Sequence, residues 1–392
     1  MLAVSLVLLV SSQRNISSTL RRGRHNQVYQ KEEQCMNGVN TRDYIINRDD
    51  RILITGANGF IGSKVVEALL RYGFTNLRCF CRPSANLSSL EAVIDAFRDR
   101  HVELIRGNLL SRPDCERATE GVGVLYHLAA GMEKTFAGCF MNSVVTTRNL
   151  LDSVCITKTL KRFVNVSSFA VYSNVNIKRG GVLDESCNTE TRFMERSDAY
   201  CFGKAKQDEL VIEYGQKYDV PYVILRPGAV YGPGVKQLIT PRVGIDTFGI
   251  FLHLGGSNRV PLTYIDNCAD AIALAGLKRG VEGEIFNVVD DDTPRSRAFL
   301  RMYKRNVGHF RSIYVPYRIF YLFCLLWEKY SKWSDGQLPP AFNRFRCSAY
   351  WKGNNYSNEK MKNLLDWRMR VSFEEGVKRY FEYMRMKAGQ KQ

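Results

Sequence analysis

Residues 51–62 read Arg-Ile-Leu-Ile-Thr-Gly-Ala-Asn-Gly-Phe-Ile-Gly. The short β-branched run Ile52–Thr55 ends in Gly56, Gly59 and Gly62, and apolar residues at helical spacing follow at Val65, Val66, Leu69 and Leu70. That is a strand, a tight turn and the first turn of a helix. Glycines in such a turn let backbone N–H groups approach a pyrophosphate, and the positive end of the helix dipole favours the anion. Many glycine-rich turns bind nothing; the strand before this one and the helix after it make it a dinucleotide site.

Outward from this turn the same alternation continues. Leu77–Cys81, Val102–Arg106, Val124–Leu128, Phe163–Ser167 and Tyr222–Leu225 read as further strands. Helical periods separate them, as at Val144, Leu150, Leu151 and Val154 and again over 199–218. The pattern predicts the α/β class, a Rossmann-type doubly wound parallel sheet with helices on both faces. Residues 51–230 form the expected dinucleotide-binding domain. Beyond Pro227 the pattern loosens into loops, a strand at Glu284–Val289 and helices over 297–306, 358–366 and 373–386. Residues 231–392 are therefore expected to form a smaller C-terminal substrate-binding part, interleaved with the core.

Residues 1–50 read as an N-terminal extension, mostly disordered. Its apolar start, Leu2–Val10, is shorter than the ~20 residues a bilayer requires. It also lacks the basic segment and cleavage site of a signal peptide, and Met36 is an alternative start. The sequon Asn15-Ile16-Ser17 carries no meaning in a cytosolic protein.

A hydrophobic content of 45% excludes wholesale disorder. The eleven cysteines show no paired metal-ligand spacing and fit a reducing, cytoplasmic setting. Cys79 and Cys81 alternate along one strand and are expected to be small core residues on a single face. From Arg295 onward there are 21 Lys and Arg against 7 Asp and Glu, which supplies most of the net charge of +17. No nucleic-acid motif accompanies this surplus, so it marks a membrane surface, an anionic substrate or a solvated basic face.

Ile319–Trp327 (Ile-Phe-Tyr-Leu-Phe-Cys-Leu-Leu-Trp) is apolar on every helical face and bounded by Arg318 and Glu328. It is too short to span a bilayer. It reads as a buried core helix, or else as a membrane-surface anchor or a lid over an apolar substrate. Lys329, Lys332, Arg344 and Arg346 would suit anionic headgroups, making 313–346 a candidate for peripheral membrane contact.

The chemistry is carried by Tyr200-Cys201-Phe202-Gly203-Lys204, which sets a phenol and an ammonium one helical turn apart on one face. A phenol with an ordinary pKa of about 10 is a poor base at neutral pH. An adjacent ammonium favours the phenolate, so Lys204 is expected to lower the pKa of Tyr200. The strand end Val164-Asn165-Val166-Ser167-Ser168 offers a hydroxyl to a substrate oxygen. The two serines face opposite ways in an alternating strand, so one of them serves.

Together these pieces resemble the extended short-chain dehydrogenase/reductase family, which includes nucleotide-sugar epimerases, dehydratases and 3β-hydroxysteroid dehydrogenases. The matching residues are Thr55–Gly62, His127-Leu128-Ala129-Ala130, Val166–Tyr172, Tyr200–Lys204 and Arg226–Pro233, in the family's order. The resemblance implies that Tyr200 is the general acid/base for a secondary alcohol or its ketone. It implies that Lys204 binds the nicotinamide ribose and tunes Tyr200, and that Ser168 holds the reacting oxygen. Ser168 is preferred to Ser167 because the family's hydroxyl lies four residues before the tyrosine of a Val-Tyr pair, here Tyr172. Cofactor contacts are implied at Gly56, Asn58, Gly59, Phe60, Ile61, Gly62, Arg82, Asn108, Leu109, Leu128, Ala129, Ala130, Tyr200, Lys204 and Pro227. Asn142 resembles an asparagine near the nicotinamide and also suits a helix cap. Arg226 and Asp266 resemble structural signatures and are expected to pair with each other.

Where NAD-specific members end the second strand in an acidic residue, this chain has Cys81 followed by Arg82. That favours NADP, unless Arg82 stacks on the adenine and leaves NAD acceptable. Ser168 and Tyr200 are 32 positions apart, with the polar segment 174–197 expected as a loop near the substrate mouth. The leading function is an NAD(P)-dependent oxidoreductase acting on a small molecule, a secondary alcohol or ketone that is sterol-like or a lipid. A nucleotide-sugar epimerase or dehydratase with tightly held NAD is the alternative. A non-catalytic dinucleotide-binding protein is the third reading, and the Tyr–Lys pair argues against it. The family also makes a homodimer an expectation.

Overall fold

The computed structural model describes residues 43–97, 100–235, 238–247, 249–335, 337 and 342–389. The readings of Leu2–Val10, the Asn15 sequon and Met36 lie outside the described residues. Seven strands form the main sheet: β1 (Arg51–Thr55), β2 (Asn76–Cys81), β3 (His101–Arg106), β4 (Val122–His127), β5 (Arg162–Val166), β6 (Tyr222–Pro227) and β7 (Ile285–Val288). They are all parallel and run in the order β7-β6-β5-β4-β1-β2-β3. The order reverses direction at β1, so crossovers leave to opposite sides of β1 and β4. A crevice opens at that point beyond the carboxyl ends of the strands.

The helices that cover the sheet include α1 (Phe60–Arg71), α2 (Thr146–Thr157), α3 (Ala199–Tyr218) and α4 (Ile265–Leu277). The period-2 geometry of a strand splits the apolar residues between two cores. Ile52, Ile54, Leu77, Cys79, Cys81, Val124 and Tyr126 meet α1 and α4 on one face. Leu53, Phe80, Leu125, Phe163 and Ile224 meet α2 and α3 on the other. Cys79 and Cys81 share a face as expected, and Phe80 between them points the opposite way.

The boundary expected at residue 50 falls inside this core. Tyr44 and Ile46 are buried with α1 and α4, and the Ile45 N–H donates to the Leu277 carbonyl at 2.9 Å. Residues 43–50 therefore strap the first face rather than belonging to a disordered extension. Residues beyond 230 supply both β7 and α4 to the main sheet and its covering. The segment 174–197 is not a free loop. Val182–Leu183 pairs with Asn355–Tyr356, and the buried Arg196 donates to the Tyr172 carbonyl at 3.1 Å.

The apolar stretch near residue 320 forms α5 (Tyr317–Trp333), followed by α6 (Arg344–Trp351). Phe320 and Cys324 of α5 pack with Cys347 and Trp351 of α6 and with Leu254. The core-helix reading holds for that side alone, because Leu322, Leu326 and Trp333 are more than half exposed. Among the described residues no helix is long and apolar enough to cross a membrane.

The turn after β1 is held by two close approaches. Gly56 has φ +69°, and a Cβ there would lie 2.9 Å from the Ala129 nitrogen. A Cβ on Gly62 would come within 2.1 Å of the Gly56 carbonyl oxygen. Gly62 is thus the point where α1 rests on its own turn. Gly62→Ala is expected to lower stability by about 1–3 kcal/mol through overpacking, measured by denaturant unfolding; an unchanged midpoint would show that the turn relaxes freely.

Candidate active site

The crevice at the switch point has a volume of about 420 Å³, within the usual range for small-molecule sites. Four strand ends supply its walls: Gly56, Asn58 and Gly59 after β1, Phe80 to Ala85 along and after β2, Asn108 and Leu109 after β3, and Leu128 to Ala130 after β4. Asn142 and Thr146 close the far side. Nine of the residues expected to touch a cofactor therefore meet in one place: Gly56, Asn58, Gly59, Arg82, Asn108, Leu109, Leu128, Ala129 and Ala130. Ser84, Ala85 and Thr146 were not foreseen; they arrive through loop and helix geometry that carries no local signature. Phe60, Ile61, Gly62 and Pro227 do not line the crevice, and neither do Tyr200 and Lys204, which α3 carries. The first three form the opening turn of α1, and Pro227 ends β6 within the sheet.

Asn142 sits inside a turn of π-helix, Phe140–Val145, not at a helix cap. The wider i→i+5 turn aims Asn142 at the crevice while the next residue, Ser143, accepts from the Gly131 N–H at 3.0 Å. Asn142 itself donates to Glu133 at 2.7 Å. Helix α3 packs directly on this turn, and a Cβ on Gly203 would stand 3.4 Å from the Ser143 hydroxyl oxygen.

Asp198 caps α3 by accepting from the Cys201 N–H at 3.0 Å, which fixes Tyr200 and Lys204 on successive turns. Tyr200 is half-buried, and the nearby Ser168 hydroxyl favours its phenolate. The Ser168 oxygen accepts from the Ala170 N–H at 3.1 Å, so its own proton is available to the phenol oxygen. Ser167 points the other way and donates to Asp208 at 2.8 Å. Of the two serines, Ser167 thus has its hydroxyl committed to Asp208.

Lys204 is buried, with 3% of its surface exposed. Its ammonium donates to the Val166 carbonyl at 2.6 Å and to Gln207 at 2.9 Å. From there a polar chain runs back to the glycine turn. Gln207 donates to Thr147 at 2.8 Å, and Thr147 donates to the Ser143 carbonyl at 2.5 Å. With that proton committed, the 2.9 Å contact between Thr147 and His127 Nε2 requires the imidazole to be the donor. Nδ1 then accepts from Thr55 at 2.7 Å, and Thr55 accepts from the Ala129 N–H at 3.4 Å. Burial, with the charge of Lys204 adding to it, pushes His127 down to about 3, so it is a neutral relay.

Two expectations require correction. Lys204 does not depress Tyr200 in the resting site: burial raises the phenol to about 12, with the Ser168 hydroxyl acting against it. The ammonium is drawn to a backbone carbonyl that the Tyr-x-x-x-Lys spacing does not reveal. Arg226 and Asp266 do not pair either. Arg226 meets the buried Asp208 at 3.1 Å and lies over the Tyr172 ring, 4.8 Å from its centroid. Asp266 meets Lys64 at 3.3 Å and Arg379 at 4.0 Å. Asp208, four residues beyond Lys204, also accepts from Asn165 at 2.9 Å; its helical spacing is the signal that could have revealed it.

The crevice, the glycine turn and the Ser–Tyr–Lys arrangement define a dinucleotide-dependent α/β protein. The chain belongs to the NAD dependent epimerase/dehydratase family, whose model matches residues 52–288. It is 26% identical over 349 residues to the trifunctional UDP-glucose 4,6-dehydratase/UDP-4-keto-6-deoxy-D-glucose 3,5-epimerase/UDP-4-keto-L-rhamnose-reductase of Arabidopsis thaliana. That match covers 85% of this chain, which spans only about half (46%) of the larger relative. It is 23% identical to the decarboxylating sterol-4-alpha-carboxylate 3-dehydrogenase of Mus musculus, over 88% of this chain and 96% of that protein. The fold is similar to the UDP-glucuronic acid 4-epimerase of Bacillus cereus in complex with NAD, with a TM-score of 0.64 and 22% identity, covering 86% of this chain and 99% of the other.

The buried Lys204 gives a pH signature. Burial lowers its pKa from 10.5 to about 8, with Asp208 acting against the shift. Between these values the unfolded chain holds the proton more tightly, so the lysine's contribution to stability rises with pH. The difference in unfolding free energy between wild type and Lys204→Met is expected to grow in favour of the wild type from about pH 8 to pH 10.5. A flat difference across that window, measured by urea titration, would show that the ammonium is not held as described.

Proposed function

We propose that this chain is an NAD(P)-dependent oxidoreductase that interconverts a secondary alcohol and its ketone. The observation that carries this reading is that α3 sets Tyr200 and Lys204 on successive turns while packing on the Phe140–Val145 turn, whose Asn142 lines the glycine crevice. The crevice suits a dinucleotide on its own geometry. Gly56 and Gly62 leave no space for side chains, and the first backbone N–H groups of α1 have no partners within their helix. The nicotinamide, when bound, gives or accepts the hydride.

The remaining chemistry belongs to protein groups. A phenol at about 12 is protonated at neutral pH and is a competent donor to a carbonyl oxygen. In the opposite direction the same oxygen takes the carbinol proton, and positive charge nearby is needed to hold the phenolate. Ser168 donates to the reacting oxygen and fixes its distance from Tyr200. Lys204 spends two of its three donors on Val166 and Gln207, leaving the third for a ribose hydroxyl.

NADP is the preferred coenzyme on two grounds. Arg82 is exposed on the crevice wall, where it suits a 2′-phosphate. Among the described residues none that lines the crevice is acidic, so no carboxylate of theirs repels that phosphate or binds both ribose hydroxyls.

For the substrate, an apolar sterol-like or lipid alcohol is favoured. A second cavity of about 280 Å³ is lined by Ile245, Cys324, Phe342, Cys347, Tyr350 and Trp351, with Asp246, Asn343 and Arg346 as its main polar groups. Tyr350 donates at 3.5 Å to Asp198, the cap of the helix that carries Tyr200. The nucleotide-sugar reading rests on the likeness to the Arabidopsis relative. It is separated by the coenzyme: an epimerase retains NAD through purification and shows no net turnover of added coenzyme.

Tyr200→Phe is expected to reduce turnover by roughly 10²-fold or more, with coenzyme affinity nearly intact by fluorescence titration; undiminished turnover would remove Tyr200 from the chemistry. Arg82→Ala is expected to weaken NADP by at least roughly tenfold, the loss of one charge-assisted hydrogen bond, with little change for NAD. Equal losses for the two coenzymes would sink the NADP preference.

A further inference from the structure

Among the described residues, one side of α5 is left uncovered. Phe320, Cys324 and Ser331 are buried on its inner side. Ile319, Leu322, Phe323, Leu326, Tyr330 and Trp333 are exposed by 61, 54, 41, 58, 50 and 78%. At about 100° per residue these six fall within a single arc of about 100°. Apolar residues spaced this way normally define the face of a helix that meets a core. Here that face points to solvent. Ile313 and Tyr314, shortly before the helix, are exposed as well. A patch of this size on one element marks an interaction surface rather than scattered exposure.

The charges around it indicate what covers it. Arg318, Lys329 and Lys332 are exposed and project into the arc bordering the apolar stripe, on the side away from the buried residues. From Arg295 to Asp335 there are nine Lys and Arg against Glu328 and Asp335, and Glu328 is bonded to Arg344 at 2.9 Å. A second copy of the chain meeting this face through a two-fold axis would bring like charges together. A partner with an apolar interior and an anionic surface satisfies both the stripe and its border.

We propose that α5 is a peripheral docking element for an anionic lipid bilayer. Seventeen residues give a helix about 25 Å long, which lies in the plane of the membrane rather than across it. Leu322, Leu326 and Trp333 enter the boundary between headgroups and acyl chains, and Arg318, Lys329 and Lys332 reach the lipid phosphates. Cys324, on the inner side of the same helix, lines the 280 Å³ cavity. Docking therefore places the bilayer one helix away from that cavity.

The test is co-sedimentation of the full chain with phosphatidylcholine vesicles and with vesicles in which about a third of the lipid is phosphatidylserine. Wild type is expected to partition onto the anionic vesicles. The variant Leu322→Ser/Leu326→Ser/Trp333→Ser, altered only at exposed positions, is expected to lose at least roughly tenfold in partition. Lys329→Glu/Lys332→Glu is expected to lose at least roughly tenfold on anionic vesicles alone. Circular dichroism and light scattering are expected to show the same fold and mass for all three proteins. Absence of partition by the wild type, partition unchanged in the first variant, or a wild-type dimer that the first variant splits would each overturn the proposal.

Discussion

A single buried ammonium organises the centre of this molecule. An unpaired charge in the interior costs several kcal/mol, so Lys204 is tolerable only while its acceptors stand in place. Those acceptors come from different elements: the last carbonyl of β5 and a glutamine on the next turn of α3, which is itself anchored on α2. Asp208 adds a carboxylate one turn further along. The strand end that carries Ser168 and the helix that carries Tyr200 are thereby tied at the same atom. The positions of the phenol and the serine hydroxyl follow from a constraint that neither residue makes itself.

The same constraint reaches the glycine crevice through a line of groups whose protons are all committed. Thr147 gives its proton to a carbonyl, so His127 must donate through Nε2 and accept through Nδ1 from Thr55. A neutral imidazole is the state that fits, and burial enforces it. Thr55 ends β1 one residue before Gly56. The part of the fold suited to a dinucleotide and the part that carries acid/base chemistry are thus one hydrogen-bonded unit rather than neighbouring modules.

The fold was largely legible in the sequence because its signals are local. Strand and helix periods, the glycine turn and the tyrosine–lysine spacing all lie within a few residues. The errors arise where a contact joins distant residues. Arg226 finds Asp208 rather than Asp266, and Lys204 is captured by Val166, 38 positions away. Tyr200 could be placed near Lys204 from spacing, yet burial, which sets its proton affinity, is invisible in a linear motif. For α5 the difficulty is different. A helix apolar on every side gives no hint of which side the core will take, and only packing against α6 decides it.

The turn that carries Asn142 has a consequence for how this chain can vary. A π-helical turn holds one residue more than α-helical geometry would, so the side chains before and after it are out of phase by about 100°. Asn142 faces the crevice and Ser143 faces Gly131 because of that extra residue. Deleting any one residue between Phe140 and Val145 would restore regular α-helical phase, yet rotate the crevice wall out of alignment with α3. The length of this segment is therefore under stricter control than its composition.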